Sequence, residues 1–274
     1  MKVVVAIDSF KGSMTSMQAG NACKEGILAA AHAHCGSGAA AAKDRKPAAD
    51  NMKVVVKPLA DGGEGTVEAL VEGMSGTYEY VPVTGPMGNP VKARYGILPD
   101  QTVVMEMAEA SGITLVKEPL NPWKAASTGV GEMILDAVQK GCRKFIIGIG
   151  GSATTEGGIG MLSALGYDFM DENGDILPPV FASLEKVVQI ENNRVPEMLK
   201  DCHFQIACDV TNPLCGAQGC VYVFGAQKGV KEEEKESMDR AMQSYAACLE
   251  KFTGKKFSEI PGTGAAGGLG FAFL

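Results

Sequence analysis

The sequence predicts an α/β fold built on a parallel sheet, and three observations carry that prediction. Residues 3–7 form a β-branched run, residues 15–31 have the composition of a helix, and residues 53–57 form a second β-branched run. A strand, helix, strand order of this kind makes a βαβ unit with parallel strands. Residues 78–83, 91–97 and 103–107 are short strands separated by Gly-Pro and Pro-Asp turns, which is the pattern of an antiparallel or mixed sheet. Two later apolar runs, 144–147 and 204–208, each lead into a loop of small polar residues.

The elements follow in order. Thr15 or Ser16 is placed to cap the first helix. Residues 33–51 are rich in Ala and Gly, carry a basic cluster and lack any apolar period, so a solvated or disordered insertion is expected there. His32 and His34, in or beside it, are expected to be a solvated pair rather than metal ligands. A helix starts near Thr66, and another covers 130–139 with Ser127 or Thr128 at its start. Residues 232–252 form a long amphipathic helix whose first turns are acidic, as the helix dipole favours. Residues 262–268 are a glycine-rich loop opening a last helix. That helix would be one turn long and end on Phe-Ala-Phe-Leu, too short to be stable alone, so the chain is expected to be shorter than its fold.

Composition narrows the function classes. Apolar residues make up 46% of the 274 and charged residues 21%, which supports a sizeable core and excludes wholesale disorder. The net charge of −7 argues against nucleic acid or an anionic membrane as partner. No apolar run approaches the roughly 18 residues of a membrane span, and the N-terminus lacks a signal-peptide core, so a cytoplasmic location is expected. None of the eight cysteines forms a C-x-x-C pair. Cys202, His203, Cys208, Cys215 and Cys220 crowd together, but at spacings that fit no common zinc site, so reduced thiols acting as small hydrophobes are expected.

Four loops carry the chemistry. Glycine is unusually frequent, 35 of 274, and clusters beside Asp, Glu, Ser and Thr, where backbone approaches a ligand closely. The first loop, DSFKGS at 8–13, follows a strand, and ligands of parallel sheets sit beyond the strands' carboxyl ends. There Asp8 could hold Mg²⁺ or accept a substrate hydroxyl, and Lys11 could neutralise a phosphate. The second places Asp61, Gly62, Gly63, Glu64, Gly65 and Thr66 at a helix start, a setting for Mg²⁺ and phosphate. The third, residues 148–158, holds Gly150, Gly151, Ser152, Ala153 and Thr154 in a nest for an anion. It also matches a loose G-x-G-x-x-A dinucleotide pattern, with Asp168 or Asp171 near the distance of a ribose contact, which leaves a nicotinamide-dependent oxidoreductase as an alternative. The fourth sets Asp209 at a strand end ahead of Asn212 and Pro213. Glu106 and Glu109 form a further carboxylate pair, on one face if helical. Walker A, H-E-x-x-H and G-x-S-x-G motifs are absent, and none of the three histidines sits in a glycine-rich loop. Phosphoryl transfer asks for little beyond positioning, Mg²⁺, cations and one carboxylate.

Nine segments in order, DSFKGS at 8–13, ADGGEGT at 60–66, VTGPMG at 83–88, EMAEASG at 106–112, STGVGE at 127–132, IGIGGSATTEGG at 147–158, CDVTNPLCG at 208–216, FGAQKG at 224–229 and PGTGAAGGLG at 261–270, resemble the glycerate kinase family of bacterial glyoxylate and glucarate metabolism. The resemblance implies ATP-dependent phosphorylation of D-glycerate with Mg²⁺, to 2-phosphoglycerate or alternatively to 3-phosphoglycerate. It implies a Rossmann-like α/β domain made from both chain ends, incomplete here, with a second mixed-sheet α/β domain inserted. The corresponding expected boundaries are 1–66, 67–260 and 261–274. Family members continue past PGTGAAGGLG, so an inactive truncated fragment is a further alternative. Carried over by position, Asp8, Ser9, Lys11, Asp61, Gly62, Gly63, Glu64, Thr66, Gly150, Gly151, Ser152, Thr154, Asp209 and Asn212 are expected to line the cleft. Asp209 or Asp8 is the expected base or metal ligand, Asp61 a second Mg²⁺ ligand and Lys11 the phosphate partner. Lys11, Arg94 or Lys228 is expected to hold the substrate carboxylate.

Overall fold

The computed structural model describes residues 1–10, 13–36, 52–117 and 119–274. β1 (Lys2–Ile7), α1 (Ser16–Gly36) and β2 (Lys53–Pro58) form the expected βαβ unit, and the two strands pair in parallel from Lys2 opposite Lys53 to Ile7 opposite Pro58. Thr15 caps the helix, its Oγ1 accepting the Gln18 N–H at 3.2 Å, while the Gln18 side chain returns the bond to the Thr15 N–H at 3.0 Å. Residues 33–36, expected in an insertion, instead continue α1, since the alanines around them favour helix. The rest of that expected insertion, 37–51, lies outside the described residues.

α2 (Thr66–Met74) leads into β3 (Thr77–Thr84), β4 (Pro90–Ile97) and β5 (Thr102–Glu106). Then come α3 (Ala108–Ser111), α4 (Thr128–Gln139), β6 (Lys144–Gly148) and α5 (Ile159–Ala164). The chain goes on through β7 (Asp168–Met170), β8 (Gln189–Glu191), β9 (His203–Ala207), α6 (Cys220–Phe224), α7 (Lys235–Thr253) and α8 (Leu269–Ala272). The large sheet has the order β3-β4-β5-β6-β9. It is mixed, as expected: β3, β4 and β5 run antiparallel, and β5, β6 and β9 run parallel. The short antiparallel β7–β8 pair has no counterpart in the sequence expectation. Three residues per strand are too few to show a period.

β5 is buried along its whole length because it is covered on both faces. Val103 and Met105 enter the main core beside Tyr95, Met133, Phe145 and Ile147, while Val104 packs with Val67, Val71 and Leu98 beneath α2. α7 turns Met238, Met242, Tyr245 and Leu249 inward at helical spacing. Its expected first turn at Glu232–Glu234 is a 3-10 turn, and the α-helix begins at Lys235. The last helix owes its order to packing: Leu269 and Phe271 are buried in the main core, and the Phe271 N–H donates to the Thr263 carbonyl at 3.1 Å. Cys142 and Cys220 are buried and Cys23 and Cys208 exposed, and all the described cysteines are free.

Candidate active site

Register decides where the site lies. Glu106, Gly148 and Ala207 are partners across β5, β6 and β9, so three parallel strands end level with one another. The loops that leave them meet the 61–64 loop, which follows β2. The Gly150 N–H donates to the Gly62 carbonyl at 3.4 Å and the Ile149 N–H to the Ala207 carbonyl at 3.4 Å. Glycine is required at these crossings. A Cβ on Gly148 would lie 2.4 Å from the Gly62 oxygen, and one on Gly62, whose φ is +89°, would lie 2.7 Å from the Ala207 oxygen.

The junction encloses a cavity of about 350 Å³. Asp61, Gly62, Gly63, Glu64, Gly150, Gly151, Ser152 and Asp209 line it, so eight of the expected residues from three separated loops share one space. Phe224, Gln227, Ala265 and Ala266 also line the wall; they lie in the FGAQKG and PGTGAAGGLG segments but were not singled out as site residues. Lys228, expected as a carboxylate partner, is also in this wall. It is buried, its Nζ donates to the Thr154 carbonyl at 2.6 Å, and burial pulls its pKa down to about 8.

The remaining expected residues are placed elsewhere. Ser9 lines a second cavity of about 250 Å³ with Arg94, Glu68 and residues 13–18; Glu64 borders both cavities. Asp8, at the end of β1, lines neither; its Oδ1 accepts the Ser9 N–H at 2.6 Å. Lys11 lies outside the described residues. Three further residues do not line the cavity, and two of them hold backbone instead. Thr66 donates its hydroxyl to the Gly63 carbonyl at 2.8 Å, Asn212 donates to the Gln218 carbonyl at 2.9 Å, and Thr154 is buried with its hydroxyl unpartnered.

The helical proviso for Glu106 and Glu109 is not met, because Glu106 ends β5 and Glu109 lies in the first turn of α3. Glu106 is buried and accepts the Val67 N–H at 2.8 Å in the first turn of α2; burial holds its carboxyl above the ordinary range. Glu109 pairs with Arg94, Nε to Oε1, at 2.8 Å. Neither carboxylate proposed for a ribose contact reaches the cavity. Asp168 is held by the Arg194 guanidinium, and Asp171 accepts the Asn173 and Asp175 N–H groups of its own turn.

The 148–158 loop is fixed from behind. Glu156 is fully buried, and its carboxylate accepts the Ser127 N–H at 2.8 Å, the Ser127 hydroxyl, the Gly158 N–H at 3.1 Å and the Gly160 N–H at 3.2 Å. The front of the loop is tied down as well: the Ile113 N–H donates to the Gly151 carbonyl and the Ala153 N–H to the Ser111 carbonyl, each at 2.9 Å. The cavity therefore has a rigid glycine-rich floor and acidic groups at its border, an arrangement suited to phosphate and a divalent cation.

The glycerate kinase family profile matches residues 3–274. The chain belongs to the glycerate kinase family. It is 39% identical to glycerate kinase of Bacillus subtilis over 276 residues and 40% identical to glycerate 2-kinase of Escherichia coli over 276 residues. Each comparison covers all of this chain and 68% of the relative. A crystal structure assigned as glycerate kinase 2 from Salmonella typhimurium LT2 superposes with a TM-score of 0.89 at 38% identity, over all of this chain and 69% of that one. The glycerate kinase relationship makes this an α/β kinase chain, and no helix among the described residues is long and apolar enough to cross a membrane.

Proposed function

We propose that the chain phosphorylates D-glycerate with ATP, and that the product is 2-phosphoglycerate. The observation that supports this reading most is the meeting of the 61–64, 150–152 and 208–210 loops around one cavity at the carboxyl ends of parallel strands. The 2-position rests on the name of the Escherichia coli relative.

The roles follow from placement. The 150–152 backbone, with Gly151 at φ +73°, supplies the bed for the nucleotide phosphates. Asp209 accepts the proton of the attacking glycerate hydroxyl, because it is the strand-end carboxylate inside the cavity whereas Asp8 lines neither cavity. Asp61, with Glu64, provides hard carboxylate oxygens at the same border and would hold Mg²⁺, which needs only one or two protein carboxylates beside phosphate oxygens. When bound, that ion would neutralise charge developing on the transferred phosphate. Arg94, in the adjoining cavity, is the cation placed to receive the glycerate carboxylate. In this reading residues 1–66 belong to one α/β domain and residues 67–260 to a second, with 261–274 starting the return to the first.

The test is ADP release by the purified chain with Mg-ATP, with and without D-glycerate, followed by ³¹P NMR of the product. Glycerate-dependent ADP with a 2-phosphoglycerate resonance is expected. A 3-phosphoglycerate resonance would overturn the regiochemistry alone. ADP release that ignores glycerate, from a chain that melts cooperatively, would overturn the substrate.

A further inference from the structure

Lys228 presents an electrostatic problem that no direct ion pair among the described residues solves. It closes a 3-10 turn, Ala226–Lys228, and is 3% exposed, the one basic side chain in the buried set of the described residues. Its Nζ makes no ion pair among the described residues; its hydrogen bond goes to the uncharged Thr154 carbonyl. A buried ammonium without a directly paired charge is unfavourable, which is why such groups tend to lose their proton. Yet this side chain is in the wall of the cavity, and its bond to Thr154 ties it to the loop whose 150–152 residues form the floor. An ammonium has three donors, and one is used here.

We infer that Lys228 holds a phosphate of the bound ligand against the 150–152 loop, and that binding of this anion and protonation of Lys228 are coupled. The inference rests on the reading that the cavity takes a nucleotide phosphate, and adds the cation that this reading lacks. The anion supplies the charge that the buried ammonium is missing. By linkage, it raises the lysine's affinity for a proton as much as the proton raises the site's affinity for the anion.

The surroundings set the direction. Glu156 and Cys220 act on Lys228 from the protein side, and Asp61, Glu64, Cys208 and Asp209 share the cavity with it. Glu156 attracts Lys228 through space, but its oxygens are occupied by Ser127 and the glycine N–H groups and it forms no direct ion pair with Nζ. Burial is the dominant influence and leaves the free lysine titrating near pH 8. In the unliganded protein the ammonium is present below that pH and lost above it, and anion affinity falls with it.

Isothermal titration with Mg-AMP-PNP, above the pH at which the nucleotide's own phosphates titrate, tests this. At pH 8.5, in buffers of different ionisation enthalpy, wild type is expected to take up about 0.7 proton per ligand. Its affinity is expected to weaken about fivefold from pH 8 to pH 9. Lys228→Arg keeps the charge through this range, so it should bind without proton uptake. Lys228→Met should weaken binding by tenfold or more. Nucleotide binding by wild type without proton uptake and with a flat pH profile would overturn the role of Lys228 and leave the kinase reading intact. Unchanged affinity in a folded Lys228→Met protein would do the same. Failure of wild type to bind either Mg-AMP-PNP or Mg-tripolyphosphate at any pH would overturn both.

Discussion

β1 and β5 have similar sequences and opposite surroundings. β1 reads Lys-Val-Val-Val-Ala-Ile and β5 reads Thr-Val-Val-Met-Glu. In β1 no residue is fully buried, and Val4 is 54% exposed. In β5 every residue is buried. Among the described residues β1 hydrogen-bonds to a single neighbouring strand, whereas β5 lies between β4 and β6 with helices on both faces. Burial is thus a property of the neighbours a strand acquires, not of its β-branched content. The difference reaches the site. The loop after β1 carries Asp8, which meets only its own Ser9 in the described contacts, while the loops after β5, β6 and β9 are clamped to one another.

The clamp is most exposed to a change at Glu156. Replacing it with Ala would leave the Ser127, Gly158 and Gly160 N–H groups without their acceptor in the interior, so a loss of about 3 kcal/mol is expected. Chemical denaturation would measure it. A loss below 1 kcal/mol would mean that the loop is fixed by its front contacts alone, and the contrast between the two regions would weaken. The second effect concerns geometry rather than stability. In Gly148→Ala the new methyl group meets the Gly62 oxygen, and the 61–64 and 150–152 loops must separate. A shift near 1 Å at a reacting centre costs about a hundredfold in kcat/KM, and that is the loss expected for glycerate-dependent ADP release. Full activity in Gly148→Ala would show that the two loops do not act together.

Much of this arrangement was legible in the sequence, for reasons that particular residues make plain. The strands at 3–7 and 144–147 announce themselves through β-branched runs, and the glycine loops through small polar residues at strand ends. What the local pattern could not show is which way a polar side chain turns. Thr154 and Ser152 stand in the same motif, yet Ser152 lines the cavity and Thr154 does not. Glu106 looked like half of a carboxylate pair, but its partner is the Val67 N–H, 39 residues away. Lys228 could be nominated as a cation, but its contact with Thr154 spans 74 residues and leaves no trace in spacing. Such roles are set by tertiary register, here the level ending of β5, β6 and β9.

The comparison between β1 and β5 is sharpened by making one chemical change in both. Val→Thr keeps the side chain's shape and its β preference but exchanges a methyl group for a hydroxyl. At Val104, fully buried between β5 and α2 among Val67, Val71 and Leu98, that hydroxyl enters an apolar pocket, and a loss of about 2 kcal/mol is expected. At Val4 the hydroxyl reaches water, and the change should stay within about 0.5 kcal/mol. Paired melting curves of the two variants measure the difference directly. Equal, small losses would mean that α2 gives way to admit the hydroxyl's partners at Val104. Equal, large losses would mean that Val4 is covered in solution, and in that case the open character assigned to β1 would have to be withdrawn.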